Sequence, residues 1–380
     1  MKSPEGHESH MRWAIALAME GAGQTSPNPI VGAVVVKDGR VVGEGYHARA
    51  GAPHAEVHAL RRAGRRARGA DMYVTLEPCC HDGRTPPCVP AIVEAGIRRV
   101  FVGTRDPNPL VNGRGMRALK RAGVRVVEGV LEERCRGINE AYNKFIRSGV
   151  PYVVAKVALS LDGKIASRFG DSKWITNRLC RAYVHRLRAQ SDCVMVGAGT
   201  VAADDPRLTA RVPGLRRRPV AVVVDGSLRI PRGARLLSRR PGELVVATTR
   251  RAPKSALRFI EGKGHRVVIC RSGAGGRVLL PDLMRKLGGI GLTSILLEGG
   301  GELFADFFRG GLVDRVVCCI APKLMGGEGK DFLPGMSASR IDQAIRLAEC
   351  TVEIMGDNVI VEGRPRKKGV TISSKVKSER

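Results

Sequence analysis

Apolar residues fall into two kinds of run along this chain. Short Val-rich blocks occupy residues 31–36, 41–45, 72–75 and 100–104. Similar blocks recur at 152–158, 193–196, 220–225, 244–248, 266–270, 294–298 and 315–321. Blocks of this length and composition read as buried strands. Between them, apolar positions return at helical spacing. That predicts helices over 8–20, 55–63, 88–95, 115–122, 131–145, 178–190, 279–287 and 302–310. Strand–helix alternation throughout predicts α/β layers.

The alternation pauses at Ser148-Gly149-Val150-Pro151, where a helix pattern stops and a strand pattern begins. A chain of 380 residues exceeds what one core usually organises. Two domains are therefore expected, 1–148 and 149–363. Past Gly363 the pattern dissolves into a basic tail, 364–380, with seven Lys/Arg and one Glu, expected to be solvated. No internal repeat is present.

Composition adds constraints. Hydrophobic residues are 43% and charged residues 26%, which excludes a disordered class. The net charge of +28 attracts phosphorylated metabolites, nucleotides, nucleic acid or acidic membrane without choosing among them. Aromatics at 4% weaken a base-stacking surface, so a nucleic-acid partner is not expected. No apolar run approaches the ~20 residues of a membrane helix, and the first ten residues are polar. A reducing, cytoplasmic setting is expected, where clustered cysteines suggest metal or chemistry before disulfides. Most of the ten cysteines sit in apolar stretches and read as buried filler.

Three are different. His54-Ala55-Glu56 opens a predicted helix, Glu77-Pro78-Cys79-Cys80 follows a strand, and Pro86-Pro87-Cys88 opens the next helix. One His and two Cys can hold zinc and leave the fourth position to water, whose pKa falls to about 7. A carboxylate two residues after the His can pass the water proton to a leaving amine. H-x-E followed by P-C is the pattern of zinc deaminases, but their usual C-x-x-C is absent: the residue three after Cys79 is Asp82. The second Cys ligand is then Cys80 or Cys88. Adjacent cysteines point apart and close poorly on one ion, and a Pro-Pro turn can swing Cys88 back, so Cys88 is preferred. A structural zinc site is the plain alternative, and the ordered set of motifs weighs against it.

Those motifs, with SPNPIVG at 26–32, GYH at 45–47, GRTPPC at 83–88 and DPNP at 106–109, resemble the deaminase half of the bifunctional deaminase–reductases of riboflavin biosynthesis. The resemblance implies a cytidine-deaminase-like three-layer domain, zinc on His54, Cys79 and Cys88, and Glu56 as the catalytic proton shuttle. That family usually carries Ser where this chain has Cys80. His81 is read as a residue at the mouth of the site.

In the second half, KVALSLDGK at 156–164, GDSKWIT at 170–176 and LLEGGGEL at 296–303 stand out. A strand–Gly–helix turn lets backbone N–H groups approach phosphate, though alone it is equally a plain tight turn. Together with LRAQSD at 187–192, VGAGT at 196–200 and ADDPRLT at 203–209, these segments resemble the reductase half of the same family, a dihydrofolate-reductase-like domain. By position the resemblance implies NADPH contacts at Ala158, Trp174, Thr200, Asp204 and the run Gly300, Gly301, Glu302, Leu303, Phe304, Ala305 and Asp306. It implies substrate contacts at Ser172, Arg188, Leu208, Arg211 and Glu298. The guanidinium forks of Arg188 and Arg211 suit a substrate phosphate, and Trp174 can cover a cofactor ring.

The implied function has two steps. Zinc-bound hydroxide removes the 2-amino group of 2,5-diamino-6-(5-phosphoribosylamino)pyrimidin-4-one, and NADPH then reduces the ribosyl chain of the uracil product to ribityl. The resemblance also implies a homo-oligomer, dimer or larger. Two alternatives stand beside it. One is a zinc-dependent tRNA deaminase with an accessory nucleotide-binding domain, and the other is a non-catalytic zinc or nucleotide-binding module. The intact Glu56 weighs against the second.

Overall fold

The structure, a computed structural model, describes residues 4–83, 85–214 and 218–366. They form two compact units. One holds residues 4–152, Gly214 and 285–293; the other holds 153–213, 218–284 and 294–366. The break expected at 148 falls in a turn where Gly149 adopts φ 68°. A single linear cut there misses the segment 285–293.

The first unit runs α1 (Pro4–Met19), β1 (Gly32–Lys37), β2 (Arg40–Tyr46), α2 (Ala55–Ala63), β3 (Asp71–Leu76), α3 (Cys88–Glu94), β4 (Arg99–Thr104), α4 (Arg114–Arg121), β5 (Arg125–Glu128), α5 (Glu132–Gly137) and α6 (Glu140–Ser148). Its five strands are ordered β2-β1-β3-β4-β5. The β1 strand pairs antiparallel with both neighbours, and β3, β4 and β5 run parallel. Side chains alternate across this sheet. Ala33, Val35, Met72, Val74, Val100 and Val102 pack with residues of α2, α3 and α4. Val34, Val36, Tyr73 and Phe101 pack with Met11, Ala14 and Cys135 on the other face. Burial on both faces explains why the strands read as unbroken apolar blocks.

Close packing fixes α2. A Cβ at Gly45 would lie 2.5 Å from the His58 Cβ, and one at Gly43 would lie 2.2 Å from the Ala59 carbonyl. Only glycine lets this helix sit so near β2. The helix expected over 131–145 is two helices. Between them Asn139 turns its amide onto Ile30, accepting from its N–H at 2.9 Å and donating to its carbonyl at 2.8 Å.

The second unit runs β6 (Tyr152–Ser160), β7 (Lys164–Ala166), α7 (Arg178–Gln190), β8 (Cys193–Gly197), α8 (Ala198–Asp204), β9 (Val220–Val224), β10 (Leu244–Thr249), α9 (Lys254–Gly262), β11 (Arg266–Cys270), α10 (Leu280–Gly289), β12 (Ser294–Gly299), α11 (Gly301–Arg309), β13 (Arg315–Ala321), β14 (Lys330–Asp331), β15 (Leu347–Met355) and β16 (Asn358–Pro365). Nine strands form one sheet, ordered β11-β10-β9-β8-β12-β6-β13-β16-β15, and β7 pairs separately with β14. The steps from β11 to β12 are parallel, and the β13–β16–β15 steps are antiparallel. Asn177 caps α7 by accepting the Cys180 N–H at 2.8 Å.

Several short or exposed elements escaped the sequence pattern, among them β5, β7, α8, α9, β14, β15 and β16. The β15 strand is exposed over most of its length, so it carries no apolar block. The expected tail begins too early, because Arg364 and Pro365 complete β16. Residues 367–380 of that tail lie outside the described residues, as does Arg84. No helix among the described residues is long and apolar enough to cross a membrane.

Candidate functional site

In the first unit, His54 immediately precedes α2, Cys79 follows β3, and Cys88 opens α3. Their ligand atoms all lie within 4.8 Å of one another, and they are the one such cluster among the described residues. His54 Nδ1 lies 3.2 Å from the Cys88 Sγ and 3.5 Å from the Cys79 Sγ. The Cys88 and Val89 N–H groups donate to the Cys79 carbonyl at 3.1 and 3.2 Å, so the start of α3 folds back onto the end of β3. Cys80 is half-buried and is not a member of the cluster. His81 is half-buried, with its Nδ1 buried and unpartnered.

Glu56 lies in the first turn of α2 and is 3% exposed. Its Oε2 is buried with no hydrogen-bond partner. An unsatisfied buried carboxylate oxygen is costly unless something else fills the site. Burial pushes the Glu56 carboxyl up. Hydrogen bonding between the two ligand thiols holds Cys79 down and pushes Cys88 up. Two thiols and an imidazole this close, beside an orphaned carboxylate oxygen, suit a soft divalent cation such as zinc.

A second carboxylate in the motif escaped the sequence reading. Glu77 is 3% exposed. It accepts the N–H groups of Asp106, Gly113 and Met116 at 3.3, 2.8 and 3.2 Å. A Cβ at Gly115 would lie 2.0 Å from the Pro78 carbonyl. Glu77 therefore ties the loop after β4 and the start of α4 to the strand end that carries Cys79. Its position directly before Pro78-Cys79 was the available signal.

The second unit holds a cleft of about 1400 Å³ along its parallel strands. Of the contacts expected there, Ala158, Ser172, Trp174, Arg188, Thr200, Asp204, Leu208, Arg211, Glu298, Gly300, Gly301, Glu302, Leu303, Phe304 and Asp306 line it. Ala305 does not, being fully buried. Leu208 is 3% exposed and its side chain belongs to the core, so it offers the cleft little beyond backbone.

The charges of the cleft are arranged differently from the expectation. Arg188 does not leave its fork open for phosphate. It grips Glu298, donating from Nε at 2.5 Å and from Nη2 at 2.8 Å. Lys156 approaches the same carboxylate at 3.5 Å. Burial alone would raise Glu298, but Arg188 and Lys156 outweigh it and hold the carboxyl down to about 2. The Arg211 side chain instead reaches His185, a cleft residue missing from the sequence reading. His185 precedes Arg188 by three residues on α7, a spacing that places both on one helix face.

The glycine turn after β12 serves packing as well as access. Gly300 adopts φ 83°, and a Cβ at Gly301 would lie 2.7 Å from the Pro334 Cδ. Trp174 is 62% exposed, with the Arg181 guanidinium 4.6 Å from its ring centroid. Asp306 is held by Arg309 at 2.6 Å and Arg277 at 3.3 Å.

Two family models match this chain. "Cytidine and deoxycytidylate deaminase zinc-binding region" covers residues 4–104, and "RibD C-terminal domain" covers 151–361. The chain is 44% identical to riboflavin biosynthesis protein RibD of Actinobacillus pleuropneumoniae over 354 residues, 93% of this chain and 94% of that one. It is 41% identical to RibD of Aquifex aeolicus over 354 residues, 93% and 97% of the two chains. Among solved structures, Acinetobacter baumannii RibD aligns with TM-score 0.88 at 36% identity, covering 96% of this chain and all of that one. A Thermotoga maritima diaminohydroxyphosphoribosylaminopyrimidine deaminase/5-amino-6-(5-phosphoribosylamino)uracil reductase aligns with TM-score 0.83 at 37% identity, covering 96% and 99%.

Proposed function

The chain belongs to the RibD family of bifunctional riboflavin-biosynthesis enzymes, and from that premise we propose how its residues divide the two reactions. The deaminase lies in 1–148 and the reductase in 149–363, with zinc and NADPH as their cofactors. The nucleic-acid deaminase alternative is not favoured, because the RibD C-terminal match spans 151–361.

In the deaminase, His54, Cys79 and Cys88 would hold the zinc. Zinc bound there supplies a water of lowered pKa beside the pyrimidine. Glu56 would carry a proton on Oε2 from the attacking water to the departing amine. Its burial excludes bulk water from the transfer, and the Glu77 network keeps Cys79 in place. The substrate is 2,5-diamino-6-(5-phosphoribosylamino)pyrimidin-4-one, losing its 2-amino group as ammonia.

In the reductase, NADPH supplies the hydride, and the protein's task is placement. The N-terminus of α11, with Gly300 and Gly301 on the cleft, would hold a phosphate group of the cofactor. Glu298 stays ionised and, through Arg188 and Lys156, fixes the cleft wall where the ribosyl chain is reduced. Arg211 receives the substrate phosphate. A homo-oligomeric, cytoplasmic enzyme rests on the family likeness alone; light scattering and cell fractionation test it.

The observation that carries this reading is the three-ligand cluster beside the orphaned Oε2 of Glu56. The test is ammonia release by wild type and Glu56→Ala at equal bound zinc, followed by NADPH oxidation on the product. A wild-type protein that binds zinc yet releases no ammonia sinks the deaminase assignment.

A further inference from the structure

The two arginines expected to bind substrate are in unequal states. Arg188 is neutralised by Glu298. Arg211 has no carboxylate partner among the described residues and is exposed in the cleft. A free arginine side chain samples many rotamers, and ordering it on ligand binding costs affinity. Here one group holds it. Arg211 Nε and Nη2 lie 3.1 and 2.9 Å from His185 Nε2.

The Arg211 side chain and the Thr209 carbonyl together select one His185 tautomer. Arginine has only donors, so Nε2 must accept. The other ring nitrogen lies 3.2 Å from the Thr209 carbonyl, which only accepts, so Nδ1 carries the proton. The Arg211 amide, 3.3 Å from Nδ1, is a contact this tautomer leaves unmade. Around the ring stand Arg188 on the same helix, Arg211 and the Thr209 carbonyl on the loop after α8, and Glu298 on β12. Burial and then the two arginines hold the imidazole pKa down, against smaller opposing effects of Thr209 and Glu298. A neutral acceptor is what this arrangement requires. With one edge of the guanidinium on His185, the Nη1 group and the outer Nη2 N–H face away from it, a planar donor set suited to phosphate.

We propose that His185 is a positioning residue of the reductase: a neutral imidazole, oriented by the Thr209 carbonyl, that presents the Arg211 guanidinium to the phosphate of the pyrimidine substrate. This rests on reading Arg211 as the substrate-phosphate receptor.

The two ring nitrogens suggest the test. Glutamine at 185 keeps an acceptor near the Nε2 position, whereas asparagine reaches only the Nδ1 position and loses Arg211. Steady-state reductase kinetics would be measured on the deaminated substrate for wild type, Arg211→Ala, His185→Asn and His185→Gln. KM for NADPH and ammonia release by the other site report whether each variant is folded. The expected result is a substrate KM raised roughly 10- to 100-fold in Arg211→Ala, since charged hydrogen bonds are worth that much. His185→Asn should raise it about 5- to 20-fold with kcat nearly unchanged, and His185→Gln less than about threefold. If Arg211→Ala raises KM and His185→Asn does not, the positioning role is overturned while the Arg211 reading stands. If Asn and Gln raise KM equally, His185 acts through packing, and the inference is overturned. If Arg211→Ala leaves KM unchanged, the reading of Arg211 fails and takes the inference with it.

Discussion

The two sites of this chain solve opposite problems. In the deaminase, three ligands and one carboxylate come from two helix starts and one strand end, gathered within a few ångströms. In the reductase, the cleft of about 1400 Å³ is lined from many strand ends and loops, and no comparable group of metal-ligating side chains forms among the described residues. Generating a nucleophile at neutral pH needs a metal and a proton carrier at fixed positions. Hydride transfer needs a long cofactor and a substrate laid edge to edge, and the reacting electrons belong to the cofactor. Concentrated chemistry therefore rests on a few irreplaceable side chains, and placement chemistry on many partial ones.

The widest gap between the two should follow Glu56→Gln. Among the described residues no other carboxylate is buried and unpartnered in the same way, so no second carboxylate replaces it as proton carrier. Ammonia release at equal bound zinc should fall by roughly 10²- to 10⁴-fold, the usual worth of a positioned general acid–base. NADPH oxidation on pre-deaminated substrate should continue at the wild-type rate. A comparable drop in both activities would show that the two sites are not independent.

Glu298→Gln should have the next largest effect, on stability as well as turnover. The carboxylate, with 6% of its side-chain surface exposed, lies between Arg188 and Lys156. Removing its charge leaves two largely buried cations unpaired, which costs about 3–5 kcal/mol. Denaturant unfolding of the full chain should show an earlier transition for the reductase unit, with the deaminase transition unmoved. The pH dependence has a definite sign. The folded carboxyl is held down to about 2, below its ordinary value, so its contribution is complete above the unfolded pKa. It is lost as pH falls through about 2, and the variant should lack that acid limb.

This pair also shows what a sequence can reveal. The α2 and α7 helices, at residues 55–63 and 178–190, have the bounds that apolar spacing predicts; they carry Glu56 and Arg188, and His54 stands directly before the first. Ligands close to one another in sequence, at helix starts, leave a motif. The Arg188–Glu298 pair joins residues 110 positions apart, and no local pattern announces that an arginine is already satisfied. His185 was hidden for the same reason, since its meaning depends on where the Thr209 and Arg211 loop lies. The break at Asn139 was hidden because Asn139 is held by Ile30, 109 residues upstream. In the reductase the motifs mattered only as a family likeness.

Gly301→Ala sharpens the comparison at a smaller scale, because it separates access from packing in the glycine turn. The new Cβ would meet the Pro334 Cδ at 2.7 Å and the Asp331 carbonyl at 3.0 Å. Relief requires moving the start of α11, at a cost of about 1–3 kcal/mol. KM for NADPH should rise while the deaminase is untouched. An unchanged KM with lowered stability would mean that the turn is spaced for Pro334 and not for the cofactor.

Cys80→Ser should do least, and for that reason it tests how sharply the metal cluster is bounded. The thiol lies next to a ligand in sequence, is half-buried, and burial pushes it up, which keeps it protonated. It stands outside the set of atoms that converge on the site. A hydroxyl of similar size in a half-buried position should change stability by less than about 0.5 kcal/mol. Zinc content per chain and ammonia release should both match wild type, whereas Cys88→Ser should lose metal. Zinc loss in Cys80→Ser would instead place the second thiolate at the adjacent position. The fold-back of α3 onto the Cys79 carbonyl would then be a feature of packing, and the dense site would be built from one loop and one helix start.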